Sequence, residues 1–112
     1  MNKRIKAGWV AKLRSGQFKQ GTDFLRQGKG DEAQYCCLGV LTAMAVKNGV
    51  CPANRAWKED PQEQDLCKEV LFWAKLKSTN PSVFVDYNTT LAELNDRGVS
   101  FNKIADIIEK QL

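Results

Sequence analysis

The sequence predicts a mainly α fold in which four to five helices surround a buried central helix, with one short β-hairpin added. Apolar residues recur at helical spacing near both ends of the chain. Between them, residues 35–48 (YCCLGVLTAMAVKN) are apolar on nearly every side, which is typical of a helix enclosed by other elements. The chain has 112 residues, of which 43% are hydrophobic and 27% charged, and this predicts one globular domain over residues 1–112.

The first and last helices are predicted from apolar stripes on one helical face. They cover residues 3–14 and 101–112, with Ser15-Gly16 as the stop of the first and Ser100 as the cap of the last. The residues of the two stripes are Ile5, Trp9 and Leu13 in the first helix, and Phe101, Ile104, Ala105, Ile108 and Leu112 in the last.

A third helix is predicted from about residue 61 to Lys77. Asp60 is a favourable N-cap, Pro61 suits the first helical position, and Glu63 completes a capping box. The residues before it, 50–60, are predicted to form a loop.

The segment that follows is predicted to be extended and then helical. Residues 82–88 alternate between apolar and polar side chains, which is the period of a strand. Thr90 followed by Glu93 is a second capping box and predicts a short helix, which ends at Arg97-Gly98.

Two glycines lie inside predicted helices, where glycine costs helix stability relative to alanine. Gly8 is in the first helix and Gly39 in the central one. Both positions predict the close approach of another element, and for Gly39 we expect a helix–helix contact.

Residues 17–34 form the longest polar, glycine-punctuated stretch. A short hairpin is predicted there, around Phe24–Leu25 and Ala33–Tyr35. Long loops of this kind often carry function, so this stretch is the first candidate for a binding site.

Positive charge is concentrated near the start of the chain. Residues 1–30 contain eight basic side chains and one acid, Asp23, whereas the formal charge of the whole chain is only +4. Such a region could attract phosphates or an acidic protein surface, or it could be a solvated face. Basic residues interleaved with Phe18 and Phe24 also suit single-stranded nucleic acid or a nucleotide, although these rings could instead pin the loop to the core.

The four cysteines are Cys36, Cys37, Cys51 and Cys67. No secretory signal or membrane-spanning run is found in the sequence, so a cytoplasmic protein with free, buried thiols is expected. Cys36 stands at the start of the predicted central helix, where the dipole would lower a thiol pKa. The chain has no histidine to act as a base, and a zinc site would need all four irregularly spaced thiolates. We therefore expect no catalytic residue, metal or cofactor.

Residues 91–112 are similar to the opening of helix-turn-helix modules. In such modules a recognition helix follows and enters the major groove. Here the sequence stops at Leu112, and Asp106 and Glu109 lie on the open side of the last helix. We therefore interpret this segment as two packed helices with the same type of connector and not as a DNA-binding module.

Five segments of the chain form a distinctive combination, above all YCCLGVL and LND-x-G-x-SF. They are Trp9 with the turn at 13–16, Phe18-x-Gln20-Gly21, residues 35–41, Trp73-Ala74-x-Leu76, and residues 94–101 with Ile104-Ala105. Together they resemble a loose group of small, mostly uncharacterised proteins encoded by bacteriophages and prophages. The resemblance spans nearly the whole chain and implies a small accessory protein that acts in the bacterial cytoplasm, often by binding and against host defence or regulation.

These observations predict a non-enzymatic binding protein, an inhibitor or sequestering factor. Its partner would be a host (defence) protein or a small anionic, nucleotide-like signal, and it could form oligomers. The alternative is a nucleic-acid-binding accessory protein that uses the basic region. The expected ligand- or partner-binding residues are Lys19, Gln20, Arg26, Lys29, Tyr35, Trp57, Asn95 and Asp96.

Overall fold

Six α-helices and five short strands make up the part of the chain that the computed structural model describes, residues 1–57 and 64–112. In chain order the elements are α1 (Lys3–Arg14), β1 (Lys19–Gln20), β2 (Arg26–Gln27), β3 (Gln34–Tyr35), α2 (Cys37–Lys47), α3 (Ala53–Ala56), α4 (Lys68–Ala74), β4 (Ser82–Phe84), β5 (Asn88–Thr90), α5 (Leu91–Asp96) and α6 (Phe101–Gln111). The radius of gyration is 12.6 Å, close to the roughly 13 Å expected for one compact chain of this length.

Helix α2 lies at the centre, as predicted. Its side chains from Cys37 to Thr42 are all buried, and it packs against α1, α4, α5 and the short α3. The indole of Trp9, itself fully buried, donates a hydrogen bond of 2.9 Å to the Cys37 carbonyl. This bond joins α1 to the first turn of α2, where the carbonyl lies in the middle of the core.

Helices α1 and α6 form the most extensive helix pair. The predicted stripes face each other across it, since Trp9 and Leu13 are buried in one helix and Ile104 and Ile108 in the other. At the edge of the pair, Arg14 reaches Asp106 at 2.6 Å and Glu109 at 3.1 Å. The acids on the open side of α6 thus pair with a base of α1.

Two side chains cap the last helices in the way that the sequence predicts. The Thr90 hydroxyl accepts a hydrogen bond from the backbone N–H of Glu93, and the Ser100 hydroxyl accepts one from Lys103, both at 3.3 Å. These bonds satisfy N–H groups that have no partner inside the helix. The predicted ends of α5 and α6 are therefore correct to within a residue.

Strand content exceeds the single hairpin that the sequence predicts. Strands β2 and β3 form that hairpin close to its expected place, and β1 adds to β3 in parallel, which gives the order β1-β3-β2. Residues 82–88, expected to be one extended segment, instead contribute to a second hairpin of β4 and β5. The chain reverses because Asp86 takes a left-handed conformation with φ of 72°.

The prediction of the third helix is wrong at both ends. Residues 64–67 are not helical, and α4 begins at Lys68, because the backbone N–H of Leu66 donates to the Thr79 carbonyl at 2.9 Å. The helix stops at Ala74 rather than Lys77, since Lys75 turns left-handed with φ of 55°. The predicted cap of Asp60, Pro61 and Glu63 lies outside the described residues.

The predicted loop over residues 50–60 contains the short helix α3, which raises the described helices to six. No side-chain cap marks its start, and it is only one turn long. Such a turn is held by tertiary packing, here by the buried Ala56, and it leaves no periodic pattern in the sequence.

Gly39 marks a close approach, but the neighbour is the backbone of Leu25 and not another helix. A Cβ built at Gly39 would lie 1.8 Å from the Leu25 carbonyl oxygen. The same oxygen accepts a hydrogen bond from the Cys36 N–H at 3.3 Å. The segment just before β2 is thus pressed onto the first turn of α2.

Across residues 1–57 and 64–112, none of the helices has the length and apolar character needed to cross a membrane.

Candidate functional site

The three-stranded sheet divides the predicted site residues between two faces. Gln20, Tyr35 and Arg26 are cross-strand partners, so their side chains share one face of the sheet. This face is half-buried, whereas the neighbouring row of Lys19, Gln34 and Gln27 is exposed. Lys19 and Arg26 therefore point to opposite sides.

A cluster of three aromatic rings and one guanidinium covers the half-buried face at Tyr35; we call it the aromatic surface, formed by Phe18, Arg26, Tyr35 and Trp57. The Tyr35 ring meets Phe18 edge-on at a centroid distance of 5.1 Å and Trp57 at 5.9 Å. The Arg26 guanidinium lies 4.4 Å from the centre of the Trp57 ring. From the sequence, Phe18 could either belong to a nucleic-acid-binding loop or pin that loop to the core; in the structure it is partly buried against the core and contacts Tyr35.

The contact of Arg26 with Trp57 bears on what this surface can bind. A guanidinium stacked on an aromatic ring uses its face for the cation–π contact. Its N–H donors lie in the plane and remain suited to a carboxylate or phosphate. Trp57 is positioned for this contact by α3, because it is the C-cap residue of that helix and donates from its backbone to Ala53.

Gln20 and Asn95 meet in the interior of the molecule. Asn95 is fully buried; its amide nitrogen donates to the Gly21 carbonyl at 2.7 Å, and its oxygen accepts from Gln20 at 3.0 Å and from the Cys37 N–H at 3.2 Å. Gln20 also donates to the Val99 carbonyl at 2.7 Å. All polar atoms of Asn95 are thus engaged within the chain, and its place is inside the fold rather than on the aromatic surface.

Asp96 is exposed and holds two separate segments. Its carboxylate accepts a hydrogen bond of 2.9 Å from the backbone N–H of Asp23 and another of 2.9 Å from the Gln64 amide. Asp23 has φ of 70°, so this bond fixes a residue in a conformation that side chains rarely adopt. Gln64 carried no signal in the sequence, since the pairing depends on the position of residues before α4.

The remaining two predicted residues, Lys19 and Lys29, are exposed and lie apart from the aromatic surface. Lys29 precedes a 3₁₀ turn at Gly30–Glu32, and no side-chain bond caps that turn. The polar stretch 17–34 also contains as many acids as bases. Its bases are Lys19, Arg26 and Lys29, and its acids are Asp23, Asp31 and Glu32. The stretch is therefore neutral, and the excess positive charge lies on α1.

Cys36 is buried at the N-cap of α2, where its sulfur accepts a hydrogen bond from the Gly39 N–H at 3.3 Å. The expectation that the helix dipole lowers its pKa is wrong. Burial raises the pKa of the Cys36 thiol from its ordinary 9.0 to about 11, because an ionised thiolate would lose its hydration, and the helix N–H groups only partly offset this. The pKa of Cys37 is raised for the same reason. Neither thiol is suited to nucleophilic catalysis.

The raised pKa of Cys36 predicts a loss of stability in alkali. A pKa above its unfolded value means that the folded state holds the proton more tightly, so this stabilisation is complete below pH 9 and is lost as the pH rises towards 11. We expect a loss of the order of 2 kcal/mol from this group. Urea unfolding at pH 8 and at pH 10.5 measures it, with Cys36→Ser as control, since serine still caps the helix but does not titrate. Equal pH dependence in both proteins would contradict the assignment.

The family of the chain follows from a comparison along its whole length. The model of the family described as Domain of unknown function (DUF8296) matches residues 1–112. The chain belongs to this family. No curated protein and no solved structure matches it.

The aromatic surface brings together three of the eight predicted site residues, Arg26, Tyr35 and Trp57. It combines Trp, Tyr and Arg, the residue types that dominate binding energy at protein interfaces. Of the other predicted residues, Gln20 and Asn95 bond to each other inside the fold. Asp96 is exposed and bonds to the backbone of Asp23, and Lys19 and Lys29 are exposed.

Proposed function

We propose that the chain is a non-enzymatic binding protein, an inhibitor or sequestering factor, whose aromatic surface takes an acidic group of a partner protein. One observation carries the proposal: the Arg26 guanidinium lies 4.4 Å from the centre of the Trp57 ring, a contact that leaves in-plane N–H donors suited to a carboxylate. A carboxylate of the partner would pair with Arg26, while apolar atoms beside it would pack on Trp57 and Tyr35.

A protein partner fits better than a small anionic signal. Small ligands are usually held in concave sites that surround most of their surface. Two clefts on the described surface, of about 440 and 450 Å³, lie elsewhere, around Lys75–Ser78 and along α1. A half-buried patch of Trp, Tyr and Arg is more typical of a protein interface.

The alternative is nucleic-acid binding through the basic N-terminal third, residues 1–30; the polar stretch 17–34 is neutral by itself, so the excess positive charge of this region lies on α1. Nucleic-acid affinity comes mainly from phosphate neutralisation by several bases at once. The bases of α1, among them the exposed Lys3 and Arg4, would have to supply it, and they do not belong to the aromatic surface.

The resemblance to phage-encoded proteins suggests where the partner would be found. A phage accessory protein of this kind would act in the cytoplasm of an infected bacterium, against a host protein of defence or regulation. Inhibition would then follow from occupancy alone, without any reaction at the surface, which agrees with the burial of Cys36 and Cys37.

Comparative capture from a bacterial lysate tests the proposal. Wild-type chain, Arg26→Ala, Trp57→Ala and the control Phe72→Ala are immobilised, and retained proteins are quantified by mass spectrometry. We expect one partner that wild type and Phe72→Ala retain equally and that the other two variants retain about 30-fold more weakly, as for an interface hot spot. Phe72 is the control because it is a large, exposed apolar residue outside the aromatic surface.

Three outcomes would contradict this proposal. Retention of the partner by Trp57→Ala would remove the aromatic surface from the interaction. Native mass spectrometry that shows a passenger of a few hundred daltons would favour the small-ligand hypothesis. Binding to a single-stranded oligonucleotide that falls steeply with salt would favour nucleic acid.

A further inference from the structure

Cys51, Cys67 and Glu69 bring three potential metal ligands together on the side of α4. The sulfurs of Cys51 and Cys67 lie 3.8 Å apart, and the donor atoms of all three residues lie within 4.8 Å of one another. Both cysteines are buried. Cys51 follows α2, and Cys67 is the N-cap residue of α4, so the cluster joins two parts of the chain that are far apart in sequence.

The separation of the two sulfurs fits a tetrahedral metal ion. With a zinc–sulfur bond of about 2.3 Å and a tetrahedral angle, two thiolates of one ion lie about 3.8 Å apart. A disulfide would require the sulfurs to approach to about 2.0 Å. The present distance thus matches shared coordination without movement of either sulfur.

A buried carboxylate oxygen without a hydrogen bond is the second observation. The Oε2 atom of Glu69 is inaccessible to solvent and has no hydrogen-bond donor among the described residues. A buried acceptor without a partner is costly, and such atoms call for a cation or donor. The Arg55 guanidinium forms a long ion pair with this oxygen at 3.7 Å, which is beyond hydrogen-bonding distance.

We propose that Cys51, Cys67 and Glu69 bind one divalent ion of the zinc class, with water in the fourth position. Binding replaces two thiol protons, which are released to solvent, and leaves a complex of charge −1 that Arg55 balances. Three anionic protein ligands and one water are a donor set that zinc accepts. This differs from the four-thiolate site considered from the sequence, since Cys36 and Cys37 do not belong to the cluster.

The ion would cross-link the two ends of the segment between Cys51 and Cys67. That stretch contains α3 and Trp57, so coordination would close a loop that includes one residue of the aromatic surface. Metal binding that depends on a folded site adds to folding stability. The inference does not depend on the proposed function, because metal binding and partner capture are measured separately.

Titration of the reduced, metal-free full chain with Co²⁺, followed by displacement with Zn²⁺, tests the site. We expect one Co²⁺ per chain, with the visible bands of tetrahedral cobalt and a near-ultraviolet thiolate charge-transfer band, both of which Zn²⁺ abolishes. Cys51→Ser and Cys67→Ser should each weaken binding more than about 100-fold, beyond the loss of a supporting residue. Glu69→Gln, a partly exposed position that should fold normally, should weaken it about 10-fold while keeping the thiolate band.

Cys36→Ser is the matched control, since it removes a thiol outside the cluster and should bind cobalt as wild type does. The proposal is overturned by a titration without a thiolate band, or by bands that persist in both Cys51→Ser and Cys67→Ser. It is also overturned if air oxidation gives a Cys51–Cys67 disulfide while the reduced chain takes up no cobalt.

Discussion

Gly39→Ala should destabilise the protein by about 4 kcal/mol, among the largest effects that a single methyl group produces. The new Cβ would lie 1.8 Å from the Leu25 carbonyl oxygen and 2.8 Å from its carbon. These are backbone atoms that no side-chain rotation can move. Relief requires that the segment before β2 leave α2, which breaks the hydrogen bond from Cys36 to Leu25. The free energy of unfolding of such a domain is only about 5–15 kcal/mol, so the substitution would remove from about a quarter to most of it.

Gly8→Ala provides the matched control, because it makes the same substitution in another helix. There the added Cβ meets only the terminal methyl of Met44, at 3.1 Å, and a flexible side chain can shift. Alanine also gains up to about 1 kcal/mol in helix propensity over glycine. Urea unfolding followed by circular dichroism should show Gly8→Ala at or above wild-type stability. A Gly39→Ala protein as stable as wild type would mean that Leu25 does not lie on α2.

Asn95→Ala is expected to cost about 3–4 kcal/mol. The substitution removes both polar ends of the amide and leaves the Gly21 carbonyl and the Cys37 N–H without their partner. Each buried polar group left unsatisfied costs about 1–3 kcal/mol. Because Asn95 connects β1, α2 and α5, its loss should also loosen the position of Gln20 and with it the first strand.

The comparison for Asn95→Ala is Asn102→Ala, an exposed asparagine of α6. It should change stability by less than about 0.5 kcal/mol, as surface substitutions usually do. Amide hydrogen exchange gives the local readout, since protection at Gly21, whose N–H donates to the Tyr35 carbonyl, should fall in the Asn95 variant. Unchanged global stability together with unchanged protection would show that the buried network contributes nothing to the fold.

The helices with strong local signals were predictable, and those held by tertiary contacts were not. α1 and α6 have apolar stripes, and α5 and α6 have caps whose hydrogen bonds are present as expected. By contrast, the start of α4 depends on a bond between Leu66 and Thr79, which are distant in sequence. Local patterns carry no information about such a partner, because propensity is readily overridden by packing.

The candidate site could be predicted only as a set of residues. Polarity and loop position selected Arg26, Tyr35 and Trp57 but also Gln20 and Asn95, and nothing in the sequence distinguished the two groups. The distinction arises from long-range contacts: Gln20 bonds to Asn95 and Val99, whereas Arg26 and Tyr35 contact Trp57. Two-residue strands leave almost no periodic signal, so their pairing and the face of each side chain could not be derived from the pattern.

By itself the sequence determined a mainly helical domain with α2 as its centre, since an all-apolar helix must be enclosed. It also determined the ends of α5 and α6, because caps act over only a few residues. The tertiary structure alone decided that Gly39 faces the backbone of Leu25, that Arg26 stacks on Trp57, and that Cys51, Cys67 and Glu69 converge. The physical reason is that these contacts join residues brought together by chain folding, and their geometry depends on all the intervening elements at once.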